Sequence, residues 1–196
     1  MPNWSFNHMI VRGSENDLAN FITKARGENG EMDFNSFIPQ PDNLFKGDLG
    51  QKEEDYCKEQ GIPNWYDWNV ANWNTKWNAC HIQFDWDGED VVYRFDTAWS
   101  PPERVFSEIS LQHPELSFRV ECEIEGSDYG LSYETDSYGD LMVYAHPFLY
   151  QCCDTDEIVT WDEDSNKMRY ADGKECTEWW GRVDFDELLE EGGICG

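Results

Sequence analysis

Residues 82–120, IQFDWDGEDVVYRFDTAWSPPERVFSEISLQHPELSFRV, decide the fold. Ile82, Phe84 and Trp86 alternate with other residues, and Tyr93 and Phe95 do the same beyond Asp87-Gly88, so two strands flank a turn that reads as type I′. Ser100-Pro101-Pro102-Glu103 then combines a capping box with proline in the first turn, a helix start. Val105, Phe106 and Ile109 give that helix one apolar face, and Pro114 limits it. Leu116, Phe118 and Val120 alternate as a further strand.

The chain ahead of this stretch supplies the missing half of the pattern. Phe6–Arg12 is a short apolar-leaning run closed by Gly13 and reads as a strand. Ser14 sits at an N-cap position with Asp17 three residues on, and Leu18, Phe21, Ile22 and Ala25 follow at the spacing of one buried helix face. Gly27 and Gly30 end it. The order is therefore βαββαβ. With right-handed crossovers this predicts an α+β, ferredoxin-like sheet-and-helix sandwich, with both helices on one face of a four-stranded antiparallel sheet.

Residues 31–79 interrupt the order and read as a Trp-rich insertion in a domain spanning residues 1–125. Its polar stretch from Asp48 to Gln60 suits an exposed helix, and the aromatic segment from Trp65 to Trp77 reads as a structured loop packed on the domain. Residues 126–196 form an acidic, β-rich extension or subdomain. Leu131 and Tyr133 are followed by a turn at Asp136–Asp140 and then by Leu141, Val143 and Ala145, as strand fragments joined by polar turns. Ile158–Trp161 and Met168–Tyr170 flank a second turn, and Asp184–Glu191 has the pattern of a short amphipathic helix.

Charge bounds the function more tightly than any motif. The 196 residues carry 41 acidic and 14 basic side chains, a formal charge of -27. Residues 1–120 account for 20 acids and 10 bases, so the remaining segment is nearly three times as dense in net charge. Such a field repels phosphate and anionic membrane surfaces, so direct nucleic-acid or membrane binding is not expected. It attracts a basic protein surface. An aromatic content of 15% marks a packed chain, not an acidic disordered one. Seven cysteines, two of them adjacent at Cys152-Cys153, and no apolar leader after Met1 suggest reduced thiols and a cytoplasmic protein.

Each candidate for chemistry has a plain structural alternative. Trp65, Trp68, Trp73, Lys76, Trp77 and Trp99 could line a ligand pocket, since indole and phenol rings offer flat faces with a polar edge. Stacking on single-stranded nucleic acid would need a positive groove, and only Lys76 lies among Asn64, Asn69, Asn72, Asn74 and Asn78. Asp162, Asp164 and Asn166 open like a calcium loop, but Lys167 and Gly173 stand where glycine and glutamate belong. His8, His81, His113 and His146 lack metal-ligand spacing, and no phosphate-binding or nucleophile-elbow motif occurs, so no cofactor, metal or catalytic residue is expected.

Four separated segments carry a family resemblance. They are Asn3-Trp4-Ser5-Phe6-Asn7, Phe34-Asn35-Ser36-Phe37-Ile38-Pro39-Gln40-Pro41, Asn72-Trp73-Asn74-Thr75-Lys76-Trp77-Asn78-Ala79 and Phe95-Asp96-Thr97-Ala98-Trp99-Ser100-Pro101-Pro102. In this order the chain resembles the YubB-like family of plasmid and bacteriophage proteins, which is described as ferredoxin-like. The resemblance covers about residues 1–125 and implies a mobile-element origin, but carries no catalytic residue. The family usually has glycine where this chain has Asn74, and asparagine tolerates the left-handed conformation such a position requires. Trp99 before a helix start, and a pairing of Lys76 with Asp96, would suit a structural role for the motifs.

The leading expectation is a non-enzymatic interaction protein of a phage or mobile element, acting in the host cytoplasm. Its acidic face would occupy the basic surface of a host nucleic-acid-binding or defence protein as a DNA mimic. The residues expected to form that face are Asp154, Asp156, Glu157, Asp162, Glu163 and Asp164, with Glu121, Glu123 and Glu125 next. The rival is a small-molecule or nucleotide-binding enzyme that uses the Trp-rich insertion. A salt-adapted protein with evenly scattered carboxylates is the third reading.

Overall fold

The strand Trp4–Arg12 (β1) organises the molecule, because both of its edges are used. Ser5, Asn7, Met9 and Val11 lie at period two and are buried. The computed structural model describes residues 3–127, 129–136, 138–147, 150–155, 157–162, 165, 167–177 and 180–182. After β1 come helix α1 (Glu15–Ala25), a 3₁₀ turn (Phe34–Ser36), and helices α2 (Gln51–Gln60) and α3 (Trp65–Trp73). Strands β2 (Cys80–Trp86) and β3 (Asp90–Ala98), helix α4 (Glu103–Gln112) and strand β4 (Ser117–Ile124) complete the expected series. Strands β5 (Tyr129–Thr135) and β6 (Leu141–Pro147) follow.

β1 pairs antiparallel with β3 and β4, placing Met9 opposite Tyr93 on one side and Val120 on the other. β2 pairs antiparallel with the far edge of β3. The order β2-β3-β1-β4 is that of the ferredoxin-like sandwich, and β5 and β6 continue the sheet beyond β4 to six strands. The fold is α+β and ferredoxin-like, as the periodicities predict.

α1 starts where its cap residue puts it: the Ser14 hydroxyl accepts from the Asp17 N–H at 3.3 Å. Its buried stripe is Leu18, Phe21 and Ala25. α4 buries Val105, Phe106 and Ile109. These side chains meet the inward residues of β1, β3 and β4 in one core, where Phe21 lies between 5.2 and 6.0 Å from the rings of Phe37, Tyr93, His113 and Phe118. The Tyr133 hydroxyl donates to Glu103 at 2.7 Å and joins β5 to the start of α4.

Three local expectations need correction. The β2–β3 turn is longer than a type I′ hairpin: Trp86 pairs with Val91, and of the turn residues only Gly88 has positive φ. The Asp87 carboxylate instead accepts from the N–H groups of Glu89 and Asp90, which holds its pKa below the ordinary carboxylate value. Ser100 does not cap α4; its hydroxyl donates to the Asn74 carbonyl at 2.5 Å, and Pro102 stands at the N-cap without a side-chain bond. Residues 65–73 form a helix and not a loop, capped by Asn64, whose side chain accepts from the Asp67 N–H at 2.9 Å.

A second compact unit holds a four-stranded sheet in the order β10-β7-β8-β9, built from β7 (Tyr150–Cys152), β8 (Ile158–Asp162), β9 (Lys167–Tyr170) and β10 (Trp180–Arg182). The hairpin expected around residues 162–167 is the antiparallel β8–β9 pair. Its small core is Cys152, Val159, Met168 and Cys176. The candidate helix Asp184–Glu191, and Asp164 and Asn166 of the turn, lie outside the described residues.

In this second core the Tyr170 hydroxyl donates to the Cys152 sulfur at 3.1 Å. That bond, with the Thr155 hydroxyl and the Asp154 N–H, pulls the Cys152 thiol down to about 7. The folded unit thus favours the thiolate. Its contribution to stability is complete above the ordinary thiol value and fades as pH falls through about 7. Ultraviolet absorbance of the native protein should show one thiolate forming near neutrality, and Tyr170→Phe should move that step upward.

Candidate functional site

The four motif segments, far apart in sequence, converge at one corner of the first unit. Asn7 lies buried in β1, and its amide donates to Thr97 Oγ1 at 3.1 Å and to the Phe95 carbonyl at 3.1 Å. The Trp73 indole N–H donates to the Ile38 carbonyl at 3.0 Å, and its ring meets Phe34 edge-on at 5.7 Å. Asn74 ends α3 in the left-handed conformation, φ 65°, and its amide donates to the Pro101 carbonyl at 3.1 Å. Buried Thr75 donates to the Ala98 carbonyl at 2.9 Å. Segment 74–78 is thereby stitched to segment 97–101.

That stitching presents Lys76. Buried Asn69 donates to the Lys76 carbonyl at 2.9 Å and fixes its backbone. The Lys76 ammonium lies 4.8 Å from the ring centre of Trp77, 5.1 Å from Trp99 and 6.0 Å from Tyr66. Tyr66 meets Trp99 edge-on at 6.0 Å, so the rings form a partial cage. Each such contact at an exposed site contributes about 0.5–1 kcal/mol. No hydrogen bond or ion pair among the described residues engages the ammonium.

Beside the cage lies a second arrangement. Trp77 leans on Trp4 at 6.0 Å, and Trp4 on the His81 ring at 5.3 Å. His81 Nδ1 sits 2.6 Å from Asp96 Oδ2, so the carboxylate orients the imidazole. Asp96 therefore pairs with His81, not with Lys76 as the sequence suggested. β2 shifts register between Cys80 and Gln83, and His81 takes φ 50° there.

Backbone strain concentrates here. Asn74, His81 and Trp99 are the described non-glycine residues with positive φ. Asparagine accepts this conformation readily; a tryptophan at φ 76° does so only under constraint, at a cost of about 1–3 kcal/mol. The Trp99 N–H donates to the Asn3 carbonyl at 2.8 Å, yet its side chain remains 43% exposed. Strain that holds a large ring in water marks this corner as the candidate site.

The expected pocket residues separate into two groups. Trp73 is buried, Trp68 packs edge-on against it at 5.5 Å, and the Trp65 indole donates to the Gly47 carbonyl at 3.0 Å, so these three serve packing. Half-buried Lys76 and Trp77 and exposed Trp99 form the other group, joined by Tyr66, Trp4, His81 and Asp96, which periodicity did not single out. Of two surface clefts, one includes Arg12, Leu116 and Tyr138, and the other is lined by Phe37, Ile38, Pro39 and Asn72 of the motif segments together with Arg104.

The expected acidic residues are divided between the two units. Asp154 and Glu157 are exposed next to β7 and β8, and Asp162 ends β8, while Asp156, Glu163 and Asp164 lie outside the described residues. Glu123 in β4 is half-buried, and Glu125, just past its end, is exposed, its carboxylate accepting from the Trp4 N–H at 3.0 Å. Glu121 does not reach solvent. It is 4% exposed and accepts from Ser132 at 2.7 Å and Arg119 at 3.2 Å, so neighbours on the sheet face satisfy and cover it.

Among the described residues no helix is long and apolar enough to cross a membrane. A family described as the ferredoxin-like domain in Api92-like protein matches residues 72–148. That stretch begins at the end of α3 and contains β2, β3, α4, β4, β5 and β6, while β1 and α1 come from ahead of it. No curated protein and no solved structure matches the chain.

Proposed function

We propose that this chain is an acidic interaction protein that docks on the basic surface of a nucleic-acid-binding or defence protein and competes there with nucleic acid. The observation that carries the reading is the charge of -27: even with every lysine and arginine paired to one carboxylate, 27 carboxylates have no such partner in the chain. Carboxylates in that excess on a well-packed core repel one another, and a basic partner relieves the repulsion. Electrostatic steering then speeds encounter and makes it salt-sensitive. The use of Trp68 and Trp73 in packing supports this reading over that of an enzyme with a Trp-lined pocket. The mobile-element setting, and with it the host cytoplasm, rests on the resemblance of the four motif segments to plasmid and phage proteins.

The test is capture from a bacterial lysate at low salt, followed by titration with salt and duplex DNA. Recovery of a basic, nucleic-acid-binding protein is expected. Its affinity should fall at least about tenfold between about 0.05 and 0.2 M salt, and DNA should displace it. Recovery of no such protein at low salt would sink the proposal.

A further inference from the structure

We infer that the cage of Tyr66, Trp77 and Trp99 is a seat for a basic side chain presented by the partner, held in the free protein by Lys76 as a displaceable occupant. The inference rests on the interaction reading above and adds a defined recognition site to it. Three aromatic rings within about 6 Å of one ammonium are the arrangement that selects organic cations, since each ring turns a negative face toward the charge. The resident cation is weakly held. Among the described residues its ammonium has three rings around it and no hydrogen bond or ion pair, and its four-carbon stem is flexible. By contrast, the frame of the cage is firmly held. Asn69, Thr75, Ser100 and the Asn3 carbonyl fix both loops, and Trp99 keeps a strained backbone while its ring stays exposed. A rigid frame around a loose cation is the construction of an exchangeable site. The net charge of -27 dictates the sign of the visitor, a lysine or its methylated form on a basic protein.

Tetramethylammonium is the probe, titrated against a sodium chloride control of equal ionic strength and read by tryptophan fluorescence and by the indole N–H resonances of Trp77 and Trp99. Lys76→Ala should bind it about five- to tenfold more tightly than the parent, because the competing cation is gone. Adding Trp99→Leu or Tyr66→Leu to Lys76→Ala should abolish the response, with thermal melting used to select folded variants. A folded Lys76→Ala protein that shows no saturable response beyond the salt control overturns the seat. The titration contains no partner protein, so that result leaves the charge-based reading standing. A seat that binds the probe, in a protein that captures no basic partner, overturns the earlier reading and the partner side chain as occupant, and leaves the cation site itself standing.

Discussion

Trp73→Ala is expected to destabilise the first unit by about 3–5 kcal/mol, the range for removing a large buried aromatic side chain. The indole is 1% exposed and fills the space between Phe34, Trp68 and the Ile38 backbone. Truncation opens a cavity lined by rigid rings that cannot collapse into it, and removes the donor to the Ile38 carbonyl. Because Trp73 also ends α3 one residue before the left-handed Asn74, the damage should spread to the loop that presents Lys76. Denaturant unfolding measures the loss, and it should be accompanied by a weaker response of the cage to cations. A change below about 1 kcal/mol would show that the insertion is not part of the cooperative core.

Asp33→Ala should cost about 2–4 kcal/mol, for a different reason. This carboxylate is 4% exposed and accepts from the Asn78 amide at 2.8 Å, the Asn35 N–H at 3.0 Å and the Asn29 N–H at 3.3 Å. Asn78 in turn accepts from the N–H groups of Phe34 and Ala79, so the two side chains clamp the segment after α1 to the start of β2. Alanine strands the donors without replacing their bonds. The same contact explains Gly27, where any Cβ would overlap the Asp33 carboxyl group. A double-mutant cycle with Asn78→Ala should be strongly non-additive, since either change alone breaks the clamp. Additive losses would mean that the two residues act separately.

The architecture was legible wherever one face of an element is buried and the other is not. β1, α1, β2, β3, α4 and β4 show clean periods of two or 3.6, and their order determines the topology. α3 was not legible as a helix. Trp65, Tyr66, Trp68, Val70 and Trp73 place apolar residues around the whole cylinder, because it meets neighbours on several sides and leaves Val70 in water. Asn64 followed three residues later by Asp67 was the overlooked signal of its start. The motif segments were visible as motifs, but their chemistry was not. Most of their polar residues turn out to be backbone clamps, and the partners that define them lie as many as 122 residues away. The His81–Asp96 pair was hidden by the register shift in β2, which no local pattern announces.

The position of β1 also dictates the timing of folding during synthesis. Its partners are β3 and β4, and the second of them emerges roughly 110 residues after it. At about 5–20 residues per second the ribosome takes on the order of 5–20 seconds to cover that distance. Until β3 emerges neither edge of β1 has a strand to join, and the edge that takes β4 stays open to the end of the interval, with the surface for the apolar stripe of α1 incomplete. The nascent chain is thus most exposed to chaperones and proteases before its central strand is enclosed, and closing β1 between β3 and β4 ends that window.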